Sequence, residues 1–289
     1  MVKKAAEKSG LKSALKWVGG KRRIAKEIVS FFPQEYSSYF EPFLGGASIF
    51  LEARPKKAFL SDLNPSLINF YVSLRDDPKT LMEQARELEM SFNSLQTQDQ
   101  KKEHFYQIRG EFNELAHDRG VENASRFLYL NKTAFNGLYR ENASGKFNVP
   151  FNNKDNLRLF DEENFIENSN ALSGTHLSSQ TFSDAVDRVK RGDLIYFDPP
   201  YVPLSSTAAF TDYTKVAFGQ KAQEQLRDKA ISLVKKGATV ILSNSYSPIV
   251  QKLYEDFELH EIKINRLVAA SSLSRGSMSE YVIVGRPNG

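Results

Sequence analysis

Asp198-Pro199-Pro200-Tyr201 is the stretch of this chain best equipped for chemistry. It follows Asp193-Leu194-Ile195-Tyr196-Phe197, an apolar run launched from Gly192 and predicted to be a buried strand. In open α/β sheets, ligands bind just beyond the carboxyl ends of strands. Two prolines lack backbone donors and fix φ, so the turn is rigid. It carries a carboxylate and a bare carbonyl, and an aromatic ring follows at once. The Asp198 carboxylate and the Pro199 carbonyl can each accept one hydrogen of an exocyclic amino group. Tyr201 can stack on the face of a planar base, as aromatic side chains do with bases extruded from a duplex. A plain Pro-Pro turn after a strand is the alternative. The tetrad alone does not choose between them; its partners earlier in the chain do.

Three elements before it have the spacing of a cofactor site. Lys16-Trp17-Val18-Gly19-Gly20-Lys21 precedes a predicted amphipathic helix over 22–32, with Ile24, Ile28 and Phe31 on its apolar face. A glycine turn at a helix start suits a carboxylate, though a simple loop-to-helix junction has the same pattern. Next, 38–50 carries Glu41-Pro42-Phe43-Leu44-Gly45-Gly46 and predicts strand, glycine turn and helix, the element that binds nucleotide-like ligands. One adjacent glycine pair is not a dinucleotide fingerprint, and no Gly-Lys-Ser/Thr follows for phosphates. The pattern points to a ligand with a nucleoside and no polyphosphate, which S-adenosyl-L-methionine satisfies. Lys57–Asp62 is a second predicted strand, ending in an acid about 17 residues after Gly45, where ribose hydroxyls are held. A helix-capping acid is the competing role for Asp62.

Composition sets the frame. The chain has 289 residues, 40% of them hydrophobic, and a net charge of +4, which permits a polyanionic partner. Cysteine is absent, which excludes disulfides, thiolate metal sites and cysteine nucleophiles and suits a cytoplasmic protein. No run approaches the ~18 apolar residues of a membrane span. Residues 1–10 are expected to form a flexible basic tail.

Beyond Asp77-Pro78 the strand–helix rhythm is lost until about Gln180. Helices are predicted over 77–95, 98–117 and 124–130. Then Asn131 to Pro150 interleaves Arg, Asn and Lys with Phe and Tyr, with Ser144-Gly145 as a hairpin tip. Arg can make a bidentate contact to guanine, and Asn to adenine; taken alone, the stretch is equally a polar surface hairpin. Strands are predicted over 175–181, 238–242, 257–266 and 281–284, with helices over 183–190 and 219–236. Val202 to Thr214 is a polar loop able to order over a bound base. Ser271 to Ser277 is a small basic loop suited to phosphates, with Arg275 as its charge. The expected division is a catalytic, cofactor-binding domain of 11–76 and 175–289, with an inserted target-recognition region over 77–174.

Taken together, Lys-Trp-Val-Gly-Gly-Lys, Glu-Pro-Phe-Leu-Gly-Gly, Ser-Asp-Leu-Asn, Asn-Gly-Leu-Tyr-Arg with Phe-Asn-Val-Pro, and Asp-Pro-Pro-Tyr occur in the order seen in Dam-type DNA adenine methyltransferases of the alpha group. The resemblance spans roughly Leu15 to Val284, and five ordered motifs are far more specific than one. It implies a Rossmann-like, S-adenosyl-L-methionine-dependent α/β sheet with an inserted helical and hairpin target-recognition region. It also implies methyl transfer to the exocyclic nitrogen of a flipped adenine in a short duplex DNA motif, without a metal. Trp17, Lys21, Asp62 and Asp198 match cofactor-contacting positions. Glu41, Phe43, Gly45 and Gly46 match the turn around its methionine portion, and Phe182 matches an aromatic packed on its adenine. Lys16, Asn136, Leu138, Arg140 and Pro150 match positions that approach the DNA, with Arg140 as guanine reader.

Two departures stand out. The residue before Phe182 is usually acidic in the family and here is Thr181, which leaves Asp184 or backbone to recognise the cofactor adenine. GATC-specific members follow Phe-Asn-Val-Pro with an aromatic, Gly, Arg and Tyr. This chain has Phe151-Asn152-Asn153-Lys154, so a GATC target does not follow from the resemblance. The rival readings are amino methylation of cytosine or of RNA adenine, and a non-catalytic DNA-binding regulator. A monomer acting on each strand in turn is expected, with a restriction endonuclease as a genetic rather than physical partner.

Overall fold

The computed structural model describes residues 11–115, 120–201, 218–264 and 278–287. They form two compact units. A sheet unit takes Arg23–Leu44, Pro55–Pro65 and Gly174–Gly289; a helical unit takes Met1–Arg22, Gly45–Arg54 and Ser66–Ser173. The helical unit thus draws on more of the chain than 77–174.

The sheet unit contains β1 (Tyr39–Glu41), β2 (Ala58–Asp62), β3 (His176–Ser179), β4 (Leu194–Phe197), β5 (Thr239–Ser245), β6 (Glu258–Ile264) and β7 (Met278–Gly285), in the order β3-β2-β1-β4-β5-β7-β6. β1 to β5 pair in parallel, and β7 runs antiparallel to both β5 and β6. This is a Rossmann-like sheet. β4 is buried at every residue, as a parallel strand covered on both faces must be. Alternate residues Ile195 and Phe197 pack with Phe40, Val240 and Leu242 into one core, which Leu226, Ala230 and Leu233 of helix α9 (Gln220–Lys235) complete. Each of the larger side chains among them contributes ~1.5–3 kcal/mol relative to leaving it exposed.

Several predicted boundaries move. The helix expected over 22–32 shrinks to α1 (Ala25–Val29). Phe31 and Phe32 close short turns onto Ile28 and Val29, because Pro33 disfavours helical backbone in the residue before it. The helix expected over 183–190 is one turn, α8 (Phe182–Ala185). The chain is then drawn toward β4, where the Asp193 carboxylate accepts from Lys190 N at 2.7 Å. β5 runs to Ser245 rather than 242, since β7 continues to pair with it as far as Ser245↔Glu280. Helix α10 (Pro248–Leu253) was not anticipated, although Ser247 caps it and Pro248 opens it.

The helical unit contains α2 (Ser48–Ala53), α3 (Pro65–Asp76) from Ser66 onward, α4 (Pro78–Ser94), α5 (Gln98–Glu114), α6 (Val121–Thr133) and α7 (Glu162–Leu172). Asp77 caps α4 through Thr80 N. Thr97 and Gln100 form a capping box at the start of α5. Helix α6 is buried along most of its length, including Phe127, Leu128, Tyr129 and Leu130, and lies at the centre of this unit. The hairpin tip is where the sequence placed it. Glu141 bridges Phe147, and the Asn142 side chain accepts from Ser144 N and Lys146 N.

Candidate active site

The order of strands places a ligand before any side chain is considered. From β1 the chain moves to β2 on one side, while β4 lies on the other. This is a topological switch point, and ligands bind outside the carboxyl ends there. Glu41 ends β1 and is buried; its Oε2 accepts from Tyr39 OH at 2.7 Å. Asp62 ends β2, and its Oδ1 accepts from Asn64 N at 3.0 Å. The Phe43 ring stacks on Phe182 at 5.6 Å and meets Phe218 edge-on. Thr181 caps α8 and donates to Asp184 Oδ2 at 2.7 Å. A carboxylate is therefore held two residues from Phe182 in the chain.

The tetrad leaves β4 at the same end. Asp198 Oδ1 is buried. Tyr201 OH donates to Glu280 Oε2 at 2.6 Å. Burial, followed by the charges of Asp198 and Glu280, pushes the Tyr201 phenol far above its ordinary value. Tyr196, whose hydroxyl pairs with Ser243 Oγ, is raised by burial and then chiefly by Asp198, with Glu41 and Glu280 adding to it. Both phenols are neutral at physiological pH, and that of Tyr201 donates to Glu280. Three carboxylates, Glu41, Asp198 and Glu280, thus act on one cluster of buried phenols, and such a field favours a cationic ligand. Within the tetrad, Pro200 O accepts from Gln223 Nε2 at 2.8 Å.

The other predicted positions lie in the helical unit. Lys16 is tied to α6 by two bonds, its N to Asn131 Oδ1 and its O from Asn131 Nδ2. Trp17 lies beside Phe127 and stacks with Tyr139 at 6.0 Å. Lys21 is buried and donates to Gly19 O at 2.8 Å. Gly45 has φ +46°, and a Cβ there would come within 2.8 Å of Trp17 Cδ1. The absence of a side chain at Gly45 therefore makes room for the indole. Asn136 adopts a left-handed conformation with φ 54°. Pro150 O accepts from Phe135 N, and Leu138 is exposed. Arg140 is exposed on the hairpin, with its Nε held by Asn148 Oδ1 at 2.7 Å. Lys132 donates to Ala14 O; burial, then the Lys16 charge, lower its pKa to about 8.

Arg275 and the loop 202–214 lie outside the described residues. Sequence reasoning passed over Tyr39, Glu280, Gln223 and Asn244. Only Tyr39 carried a local signal: it sits two residues from Glu41, on the same face of a strand.

The sequence profile of the D12 class N6 adenine-specific DNA methyltransferases matches residues 17–267. The type II methyltransferase M1.LlaDCHI of Lactococcus lactis subsp. cremoris is 38% identical over 285 residues, 97% of this chain and 98% of that protein. The type II methyltransferase M.MjaIII of Methanocaldococcus jannaschii is 36% identical, over 89% of this chain and 93% of its own. A DNA adenine methylase of Vibrio cholerae is 32% identical over 95% and 96%. Matched over most of its length by the family profile and almost end to end by these relatives, the chain belongs to the D12 class N6 adenine-specific DNA methyltransferases.

Proposed function

We propose that this adenine methyltransferase binds S-adenosyl-L-methionine outside the carboxyl ends of β1 and β2 and presents the target amino group to Asp198-Pro199-Pro200-Tyr201. The observation that carries the reading is the place of the tetrad, which leaves β4 at the switch point beside β1. The residues fit the cofactor. Its sulfonium is a cation, and Glu41, Asp198 and Glu280 supply negative potential. Asp62 stands where an acid accepts from ribose hydroxyls. Phe43 and Phe182 offer an apolar face for a purine. When bound, the cofactor supplies an activated methyl group.

The chain's own residues supply the rest. The lone pair of an adenine amino group is delocalised into the ring, so the nitrogen is a poor nucleophile. Asp198 and the Pro199 carbonyl accept its two hydrogens and favour a tetrahedral nitrogen. That help grows as positive charge develops on the nitrogen, so it lowers the barrier rather than merely binding substrate. Flipping the base costs a few kcal/mol, which stacking on Tyr201 partly offsets.

In the helical unit, Lys16, Asn136, Leu138, Arg140 and Pro150 approach the duplex, and Arg140 reads a guanine. The exposure of its guanidinium and its orientation by Asn148 support that role. We further infer a monomer acting on each strand in turn, in the cytoplasm of a bacterial or phage-infected cell. The type II names of two relatives support a restriction endonuclease that shares its target motif.

Nucleoside analysis of duplex DNA incubated with the protein and labelled cofactor tests the reaction. N6-methyladenine is the expected product; label recovered in cytosine would overturn the assignment.

A further inference from the structure

A tetrad with two prolines is difficult to anchor. Pro199 and Pro200 have no N–H to donate into a ladder, so the turn can be held only through its carbonyls and its flanking side chains. In this protein Gln223 Nε2 donates to Pro200 O at 2.8 Å. Gln223 Oε1 accepts in turn from Asn244 Nδ2 at 3.1 Å. Asn244 Oδ1 accepts from Ser245 N at 2.8 Å. The chain of amides has one direction, because each donor meets an acceptor from strand β5 through α9 to the tetrad. It is also buried: Gln223 is 1% exposed and Asn244 0%.

Its location argues against accident. The buried stripe of α9 is Gln223, Leu226, Ala230 and Leu233, spaced as a helix face. The first position of an otherwise apolar stripe is thus an amide. Asn244 likewise shares its face of β5 with the core residues Val240 and Leu242. Buried amides cost free energy unless they are paired, and leucine at both positions would extend the core. What the amides gain is a grip on Pro200 O.

We infer that Gln223, held in orientation by Asn244, is a positioning residue. By fixing the Pro200 carbonyl on the α9 side, it sets the rotation of the Pro-Pro turn, and with it the directions of the Pro199 carbonyl and the Asp198 carboxylate. The inference rests on the catalytic role proposed above for the tetrad.

The test uses the full chain, unmethylated genomic DNA and labelled S-adenosyl-L-methionine, with active molecules counted by cofactor binding. Gln223→Leu extends the apolar stripe and leaves Pro200 O without its donor. Gln223→Met keeps the length of the side chain and removes the donor. Each should lower kcat by ~10–100-fold, with the KM for DNA and the cofactor Kd within ~3-fold. Asn244→Ala should cost less, about 3–10-fold, by loosening Gln223 alone. The Gln223→Leu/Asn244→Ala double variant should be no slower than Gln223→Leu, because the two act through one bond. A merely structural role would lower melting temperature and active fraction while sparing kcat per active molecule. Wild-type kcat in Gln223→Met, or a double variant that loses the product of the two single losses, overturns the inference. Asp198→Ala, run alongside, separates the two ideas. If it is inactive while the Gln223 variants turn over normally, the positioning role fails and the tetrad stands; if it also turns over normally, the reading of the tetrad fails.

Discussion

Asp198→Ala is expected to lower turnover by more than ~100-fold, about 2.7 kcal/mol or more of transition-state stabilisation. The size follows from what the carboxylate is asked to do. In the proposed reaction it accepts one amino hydrogen while the nitrogen pyramidalises, so its contribution would be largest where charge develops. It also belongs to the trio of carboxylates that favours a cationic cofactor, which predicts a second, smaller loss in cofactor affinity. The sheet unit itself tolerates the change. Asp198 lies just past the end of β4, outside the apolar cluster that binds β4 to α9. A steady-state assay with a parallel thermal melt checks the result: lost turnover with an unchanged melt is expected. Near-wild-type turnover would sink the tetrad as catalytic centre.

Arg140→Ala is expected to act on specificity rather than on chemistry. Arg140 sits on an exposed hairpin in the helical unit, and Asn148 fixes its guanidinium through Nε. A guanidinium held in that way is suited to a bidentate contact with guanine O6 and N7, worth about 1–3 kcal/mol of discrimination. Its loss should relax choice at one guanine of the target motif by about 5- to 150-fold, with kcat on the best sequence changed far less. A series of duplexes altered at one base pair at a time measures this. Discrimination unchanged at every position would remove Arg140 from the reading role. A uniform loss at all positions would make it a phosphate contact instead.

The parts of the site that were legible in the sequence are those written locally. The apolar run before Asp198 read as a buried strand. The acid at the end of β2 followed from the strand pattern and its distance from Gly45, whereas Glu41 at the end of β1 was singled out by the family resemblance. The Ser144-Gly145 tip followed from turn residues alone. What was not legible depends on pairing between distant segments. Glu280 reaches Tyr201 because β7 inserts antiparallel beside β5 and sets Glu280 opposite Ser245, a register that no local pattern specifies. Gln223 looked like an ordinary polar residue near the start of a helix, and its partner Pro200 lies 23 positions earlier. The glycine turn at Gly45-Gly46 was legible between strand and helix, but its contact with Trp17, where a Cβ on Gly45 would meet the indole, was not. Helix ends were misplaced where a competing local bond prevailed, as with Pro33 after α1 and Asp193 before β4.

The measurement closest to the central claim is modification sequencing of unmethylated genomic DNA treated with the protein and S-adenosyl-L-methionine. Methylated adenine confined to one short motif, and absent when Asp198→Ala replaces the wild type, is the predicted result. It would also show whether that motif is GATC, despite Asn152-Asn153-Lys154 after the hairpin. DNA left unmodified by a protein that binds the cofactor, or modification that persists in Asp198→Ala, would contradict the account.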